Sequence, residues 1–330
     1  MLIRLYKVKS GDCIYLKFQD KNVIIDVGFV TTAKDTLFKI IDETNENKER
    51  VNLIILTHTD RDHISGIKAL SHRNDFLSLV DQVWMNYPNT VTTDMRKEVS
   101  FVEANTVASI FVRNGINIIS DIQNQRGEIE HIFEDLKILS PSKDDLDKYE
   151  YKWEKAGRIR VVSKKCDWGK SIDSISFEDV DLDNSQSNNV SIALYIKVSG
   201  TKVLLLGDSH PDIIEKKIRE MGYCEENRLS VDYLKLSHHG SKSNLTCSLL
   251  DCLEVQNYMM SSNGSYLDKT TIAMIVKHPK RDKEKKVRIY FNYHKGVYEG
   301  LLSEAEIEKY NIECLYASEN QEFMEVKISE

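Results

Sequence analysis

Apolar positions along this chain follow two periods. Residues 1–8 and 13–18 alternate apolar and polar side chains around a Ser10-Gly11-Asp12 turn, which predicts a hairpin. Val23-Ile24-Ile25 is apolar until Asp26 interrupts it, so it reads as a central strand ending at a functional edge. Val51-Asn52-Leu53-Ile54-Ile55-Leu56 reads as another short buried strand. A helical period joins Leu37, Ile40 and Ile41, then Ile64, Ile67 and Leu70. It governs residues 94–114, where Val99, Val102, Val107, Ile110 and Phe111 form the core stripe and Asn114-Gly115 the stop.

Further strands are expected at residues 81–87, 116–119 and 136–139, with Trp84 and Tyr87 read as core aromatics. Leu146, Tyr149 and Trp153 share a helical face. Residues 191–198 and 202–208 read as a hairpin joined at Ser199-Gly200, and residues 312–328 as a closing hairpin. Such a mixture of elements predicts an α/β or α+β fold.

Composition narrows the class. With 330 residues and 41% hydrophobic content the chain can bury a full core. No apolar run reaches the roughly 20 residues that cross a bilayer, and the opening Met1-Leu2-Ile3-Arg4 has no signal-peptide pattern, so a cytoplasmic protein without membrane contact is expected. Six cysteines without a CxxC pair indicate neither a zinc knuckle nor a dithiol redox motif and suggest reduced thiols. A formal charge of −7 argues against a globally basic nucleic-acid binder, leaving only regional patches. One lies in Arg158, Arg160, Lys164, Lys165 and Lys170, equally readable as a solvated insertion. The other is residues 277–295, with eight Lys or Arg against two acids and Tyr290, Phe291 and Tyr293 between them. Its core, Val287-Arg288-Ile289-Tyr290-Phe291, reads equally as an edge strand guarded by lysines.

The candidate chemistry starts in Leu56-Thr57-His58-Thr59-Asp60-Arg61-Asp62-His63, where four metal-competent side chains fall within six residues on a strand-to-helix loop. One His and one Asp there would serve as helix caps, whereas two of each argue for metal binding. Imidazole suits zinc and its neighbours and carboxylate suits harder ions such as manganese, so two divalent ions, Zn2+ or Mn2+, are both admissible. Asp208 follows four aliphatic residues and a glycine, and the pair His238-His239 precedes Gly240-Ser241 at the end of another strand. Strand alternation sets His238 on the side of Leu234 and Leu236 and His239 on the other, which favours His238 as the ligand.

His58-x-Asp60-x-Asp62-His63 resembles the signature loop of the metallo-β-lactamase superfamily, usually His-x-His-x-Asp-His. Asp60 in place of the middle His, the run Ser187-Asn188-Asn189-Val190-Ser191 and His238-His239-Gly240-Ser241 are similar to the soluble domain of ComEC-type DNA-uptake proteins and their stand-alone relatives. The resemblance implies an αββα sandwich, two mixed sheets flanked by helices, in one domain over residues 1–330 with an insertion around 140–185 and a divergent part at 265–330. It implies that His58 and Asp60 hold one metal, that Asp62, His63 and His238 hold a second, and that Asp208 bridges them. Asp26 and Asn189 would support these ligands from behind, Asp62 and His239 would serve catalysis, and Ser241, Lys242 and Arg288 would touch substrate. Asp268 stands where the family's late Tyr-x-His-Pro segment carries His, and His278-Pro279 comes ten residues later.

A metal-dependent phosphodiesterase acting on nucleic acid is therefore expected. A small-molecule hydrolase for a lactone, thioester or cyclic nucleotide, and a regulatory or binding subunit with an incomplete metal site, stay open at this point. So do protein partners in a bacterial defence or processing system.

Overall fold

The computed structural model describes residues 1–73, 76, 78–87, 99–125, 132–152 and 167–328. Trp153, His131 and the basic positions Arg158, Arg160, Lys164 and Lys165 lie outside them. Among the described residues, no helix is long and apolar enough to cross a membrane.

Among the described residues, two seven-stranded mixed sheets form the frame. The first contains β1 (Leu2–Tyr6), β2 (Ile14–Phe18), β3 (Lys21–Ile25), β4 (Leu53–Leu56), β5 (Gln82–Met85) and β6 (Asn117–Ile119). The second contains β7 (Asp135–Ser140), β8 (Ala193–Val198), β9 (Thr201–Leu205), β10 (Leu229–Lys235), β11 (Leu253–Met260), β12 (Val287–Phe291) and β13 (Ile312–Tyr316). The last strand, β14 (Phe323–Lys327), returns to the first sheet beside β1. Strands β3 to β6 run parallel, as do β9 to β13.

Alternation along each strand divides its side chains between two environments. Ile3, Leu5, Leu16, Val23, Ile25, Leu53, Ile55 and Trp84 meet Ile192, Leu194, Ile196, Val203 and Leu205 between the sheets. On the outer face of the first sheet, Ile24, Ile54, Leu56 and Val83 pack against helix α1 (Leu37–Glu46), through Leu37, Ile40 and Ile41, and a later helix through Val107 and Phe111. Helix α2 (Arg61–Ile64) continues the β4 loop, and α3 (Val99–Arg113) is that later helix. Helix α4 (Lys143–Lys152) follows β7, and α5 (Gln186–Asn189) precedes β8. Helices α6 (Pro211–Glu220), α7 (Cys247–Asp251) and α8 (Lys269–Lys277) cover the second sheet, with Ile214, Ile218, Leu249, Ile272 and Ile275 in its core. Helix α9 (Glu304–Lys309) leads into β13.

Three sequence expectations are corrected. Val102 is 53% exposed, because the stripe of α3 that packs inward runs through Ala104, Val107 and Phe111. Strand β12 lies between β11 and β13 and is not an edge. The closing residues do not form a hairpin, because β13 pairs parallel with β12 and β14 pairs antiparallel with β1 in the opposite sheet.

Gly66 lets the turn after α2 lie directly on the end of β3: its N–H donates to Gly28 O at 2.9 Å, and a Cβ there would stand 2.3 Å from Val27 O. Gly66→Ala is therefore expected to cost about 1–3 kcal/mol through overpacking. Gly169→Ala, with open space around it, should stay within about 0.5 kcal/mol. Denaturant unfolding monitored by circular dichroism compares the two, and equal stabilities would remove the packing argument.

Candidate metal centre

Five strand ends and one turn converge on a single edge. Asp26 follows β3, residues 57–60 follow β4, Asp208 follows β9, residues 237–240 follow β10 and Ser261 follows β11. The turn carrying Asp12 joins β1 to β2 at that same edge, since Ile14 pairs with Ile25. Parallel strands place all their C-terminal ends together, which is where ligands bind in such sheets.

Asp208 is the focus. Its Oδ2 lies 3.5 Å from His63 Nε2, 3.7 Å from His238 Nε2, 3.8 Å from His239 Nε2 and 3.9 Å from His58 Nε2. All five groups are buried. Burial alone would raise the Asp208 carboxyl, but the surrounding imidazoles, His63 foremost, hold it well below the usual carboxylate range. Burial and the neighbouring His63 push His58 down, towards a neutral ring. Burial opposes protonation of His63 as well, yet the Asp208 and Asp26 carboxylates outweigh it and shift this ring upward.

The far ring nitrogens are fixed by groups that aim the near ones inward. His63 Nδ1 meets Asp26 Oδ2 at 2.7 Å, while Asp26 also accepts the Thr57 N–H at 2.8 Å and the Thr57 hydroxyl at 2.7 Å. His239 Nδ1 lies 2.9 Å from the Ser261 carbonyl, an acceptor only, so Nδ1 is the donor in this contact and Nε2 is the nitrogen turned inward. His58 Nδ1 has the hydroxyls of Thr57 at 3.1 Å and Ser191 at 3.3 Å. The inward atoms His58 Nε2, His63 Nε2, His239 Nε2 and Asp208 Oδ1 are buried without a hydrogen-bond partner.

Such orphaned donors at this spacing fit divalent cations. Ligands about 2.0–2.2 Å from a tetrahedral ion stand roughly 3.3–3.6 Å apart. His58, His63 and Asp208 offer ligand atoms within 4.8 Å of one another, and so do Asp62, His63 and His239, and Asp12, Asp208 and His239. Asp60 Oδ2 lies 3.8 Å from His58 Nε2 and accepts from Ser187 Oγ at 3.2 Å. The Asp60 and Asp62 side chains remain 19% and 22% exposed, which marks the open side of the centre.

The structure thus brings His58, Asp60, Asp62, His63, Asp208, His238 and His239 together, with Asp26 behind them. Alternation does not order the two adjacent histidines, because β10 ends at Lys235 and both adopt positive φ, 44° and 58°, in a tight turn. His239 joins the set with Asp62 and His63. His238 instead meets Asn244 Oδ1 at 3.0 Å, Asp183 Oδ2 at 3.4 Å and the Tyr266 ring, 4.9 Å away between centroids. Asn188, not Asn189, approaches His238, at 3.3 Å from Nδ1. Lys242 stands nearby, its N–H donating to Asp268 Oδ2 at 3.0 Å, and burial raises the Asp268 carboxyl. The Ser241 hydroxyl caps the turn by accepting the Ser243 N–H.

One expected residue belongs elsewhere. Arg288 lies in β12 opposite Glu313, which it meets at 3.0 Å. His278 pairs with Asp251 at 3.2 Å, beyond the end of α8. Sequence reading missed the buried pair of Asp12 and Lys235, 2.6 Å apart, with Asp12 Oδ1 3.5 Å from His239 Nδ1. Burial would raise Asp12, but Lys235 and His239 hold it low. The signal for this pair was a lysine inside an otherwise apolar strand end, Leu234-Lys235-Leu236.

Residues 6–132 match a family model described as the metallo-beta-lactamase superfamily. The paired mixed sheets with helices outside are the architecture of that fold. Among solved structures, the chain is similar to the metallo-beta-lactamase fold protein YhfI from Bacillus subtilis, at 10% identity and TM-score 0.46 over 98% of this chain and 99% of that one. It is also similar to Zn(2+)-bound PqqB from Methylobacterium extorquens, at 8% identity and TM-score 0.43 over 99% and 100%. No curated protein sequence matches it.

Asp26→Asn keeps the size of the side chain and weakens its hold on His63. Loss of a carboxylate behind a ligand imidazole lowers metal affinity roughly 10–100-fold, to be read by competition with a chromophoric chelator. Unchanged affinity would show that Asp26 does not orient the ligand.

Proposed function

Taking a metallo-β-lactamase fold as the premise, we propose that this chain is a divalent-metal-dependent hydrolase of phosphodiesters, with nucleic acid as its substrate class. The observation that carries the proposal is the convergence of four imidazole Nε2 atoms, 3.5–3.9 Å away, on the single oxygen Asp208 Oδ2. In this reading His58 and Asp60 would hold one cation, Asp62, His63 and His239 would hold a second, and Asp208 would contribute to both. Bound there, Zn2+ or Mn2+ would supply Lewis acidity towards the scissile group and would lower the pKa of water.

The chain's own residues do the rest. Asp26 and the Ser261 carbonyl orient His63 and His239. The Lys242 ammonium, which has no ion pair among the described residues, draws a phosphate towards the centre. His238, its Nδ1 held by Asn244 and Asp183, turns Nε2 to the cleft, where it hydrogen-bonds substrate or moves a proton at the leaving oxygen.

The phosphodiester assignment is supported by the combination of Asp60, the Asn188-Asn189-Val190-Ser191 run and His238-His239-Gly240-Ser241, similar to the ComEC-type branch. The basic residues 277–286 lend no support, because they precede β12 and so lie at the edge opposite the centre. That position favours, as a second reading, a small phosphodiester such as a cyclic nucleotide.

Cleavage of plasmid, single-stranded DNA, RNA and cyclic nucleotides with Mn2+ or Zn2+ tests both readings. Asp62→Ala and Asp208→Ala are each expected to lose roughly a hundredfold or more, since several kcal/mol of charge stabilisation depend on the cations they hold. Lys242→Ala should raise KM with kcat largely kept. Equal activity in wild type, Asp62→Ala and Asp208→Ala would refute the assignment, and absence of bindable metal would favour a regulatory subunit.

A further inference from the structure

The opposite edge of the second sheet has its own concentration of charge. A cavity of about 300 Å3 lies where β10 and β12 begin, between Arg228 and the segment that follows α8. Five cations line it, Arg228, Lys280, Arg281, Lys285 and Lys286, against two acids, Glu254 and Asp282. Strand β12 has five residues, and at about 3.3 Å per residue its two ends stand roughly 17 Å apart. The cavity is therefore separated from the metal centre by the length of the sheet.

The two guanidiniums are the unusual part. Arg228 donates to the carbonyls of Lys280 at 3.0 Å, Leu250 at 3.5 Å and Leu253. Arg281 donates to the carbonyls of Val276 at 3.2 Å, Lys285 at 3.3 Å and Tyr310 at 2.6 Å. Neither forms an ion pair among the described residues, and the Nε of each is buried without a hydrogen-bond partner. Carbonyl dipoles hold these groups in place but do not neutralise them, and partly buried uncompensated charge is costly. Burial accordingly pushes Arg281 below its ordinary range.

The lysines, by contrast, have solvent-facing partners: Lys280 meets Glu225 at 3.0 Å, Lys285 meets Glu254 at 3.7 Å and Asp282 at 3.8 Å, and Lys286 meets Glu313 at 3.9 Å. Exposed pairs of this kind contribute about 0–1 kcal/mol and exchange readily for a stronger anion. Guanidinium forks match phosphate oxygens, and ammonium groups add point charge. The volume is at the lower end of ligand pockets, about 300–1,000 Å3, and Leu253, Ile275 and Val287 give it an apolar wall.

We propose that this cavity binds a phosphate-bearing small molecule of nucleotide size, at a site distinct from the metal centre. The proposal is independent of the hydrolase reading. Calorimetric titration of the metal-loaded protein with ADP and with inorganic pyrophosphate tests it, repeated after chelation. Saturable binding at one site is expected, retained after chelation and in Lys242→Ala. It should be weakened about tenfold or more in Arg281→Gln and in the rim variant Lys285→Glu with Lys286→Glu, as loss of charge-assisted phosphate contacts requires. Should Arg281→Gln fail to fold, the exposed rim variant decides. Absence of saturable binding, loss of binding on chelation, equal competition by chloride at the same ionic strength, or unchanged affinity in the rim variant would each overturn the proposal.

Discussion

Asp208 is 2% exposed, with four imidazole nitrogens within 3.9 Å of one of its oxygens. Holding an ionised carboxylate out of water costs several kcal/mol unless close partners offset it. The backbone is shaped around that requirement. Gly207 takes a φ of +53°, and a Cβ on it would stand 2.5 Å from Ser191 Oγ. The same hydroxyl accepts the Asp208 N–H at 3.0 Å and lies 3.3 Å from His58 Nδ1. A glycine is thus needed for the turn and for the approach of the hydroxyl that ties the central carboxylate to one of its imidazoles.

This constraint couples the two sheets. His58, His63 and Asp26 hang from the first sheet, whereas Asp208, His238 and His239 follow strands of the second. Apolar packing between the sheets sets their spacing, but it is non-directional and does not choose which atoms face. Polar links do so at the edge: Lys235 of β10 reaches Asp12 of the β1–β2 turn at 2.6 Å, and Ser261 Oγ donates to Gly11 O at 3.1 Å. A Cβ on Gly11 would stand 2.0 Å from Asp62 O, so that turn also presses on the loop that carries the candidate ligands.

What could be read in the sequence was local. The His58 to His63 cluster, the strand before it, Asp208 after its aliphatic run and the two adjacent histidines are short patterns in which period and residue type coincide. The supporting groups are contacts between distant segments: Asp12 and Lys235 are 223 residues apart, and Asn188 and His238 are 50 apart. No local period encodes such a meeting. Alternation does not separate His238 from His239, because strand geometry ends at Lys235 and both histidines lie in a left-handed turn. The expected closing hairpin failed for a related reason, since adjacency in sequence was taken for pairing while the edges beside β1 and β12 were the available partners for β14 and β13.

Parallel topology explains why the candidate metal-ligand motifs and the basic run separate. In β9 to β12, whatever follows a strand goes to one edge and whatever precedes it goes to the other. Asp208, His238, His239 and Ser261 all follow their strands, and they meet. Arg228 directly precedes β10 and residues 280–286 precede β12, and they line a different cavity. A run that looks continuous in sequence, residues 277–295, is therefore split by β12: its cations up to Lys286 lie at one edge, while Asn292 reaches Ser261 Oγ, at 3.3 Å, at the other. Order relative to the strand, more than net charge, decides which residues of this fold can share a site.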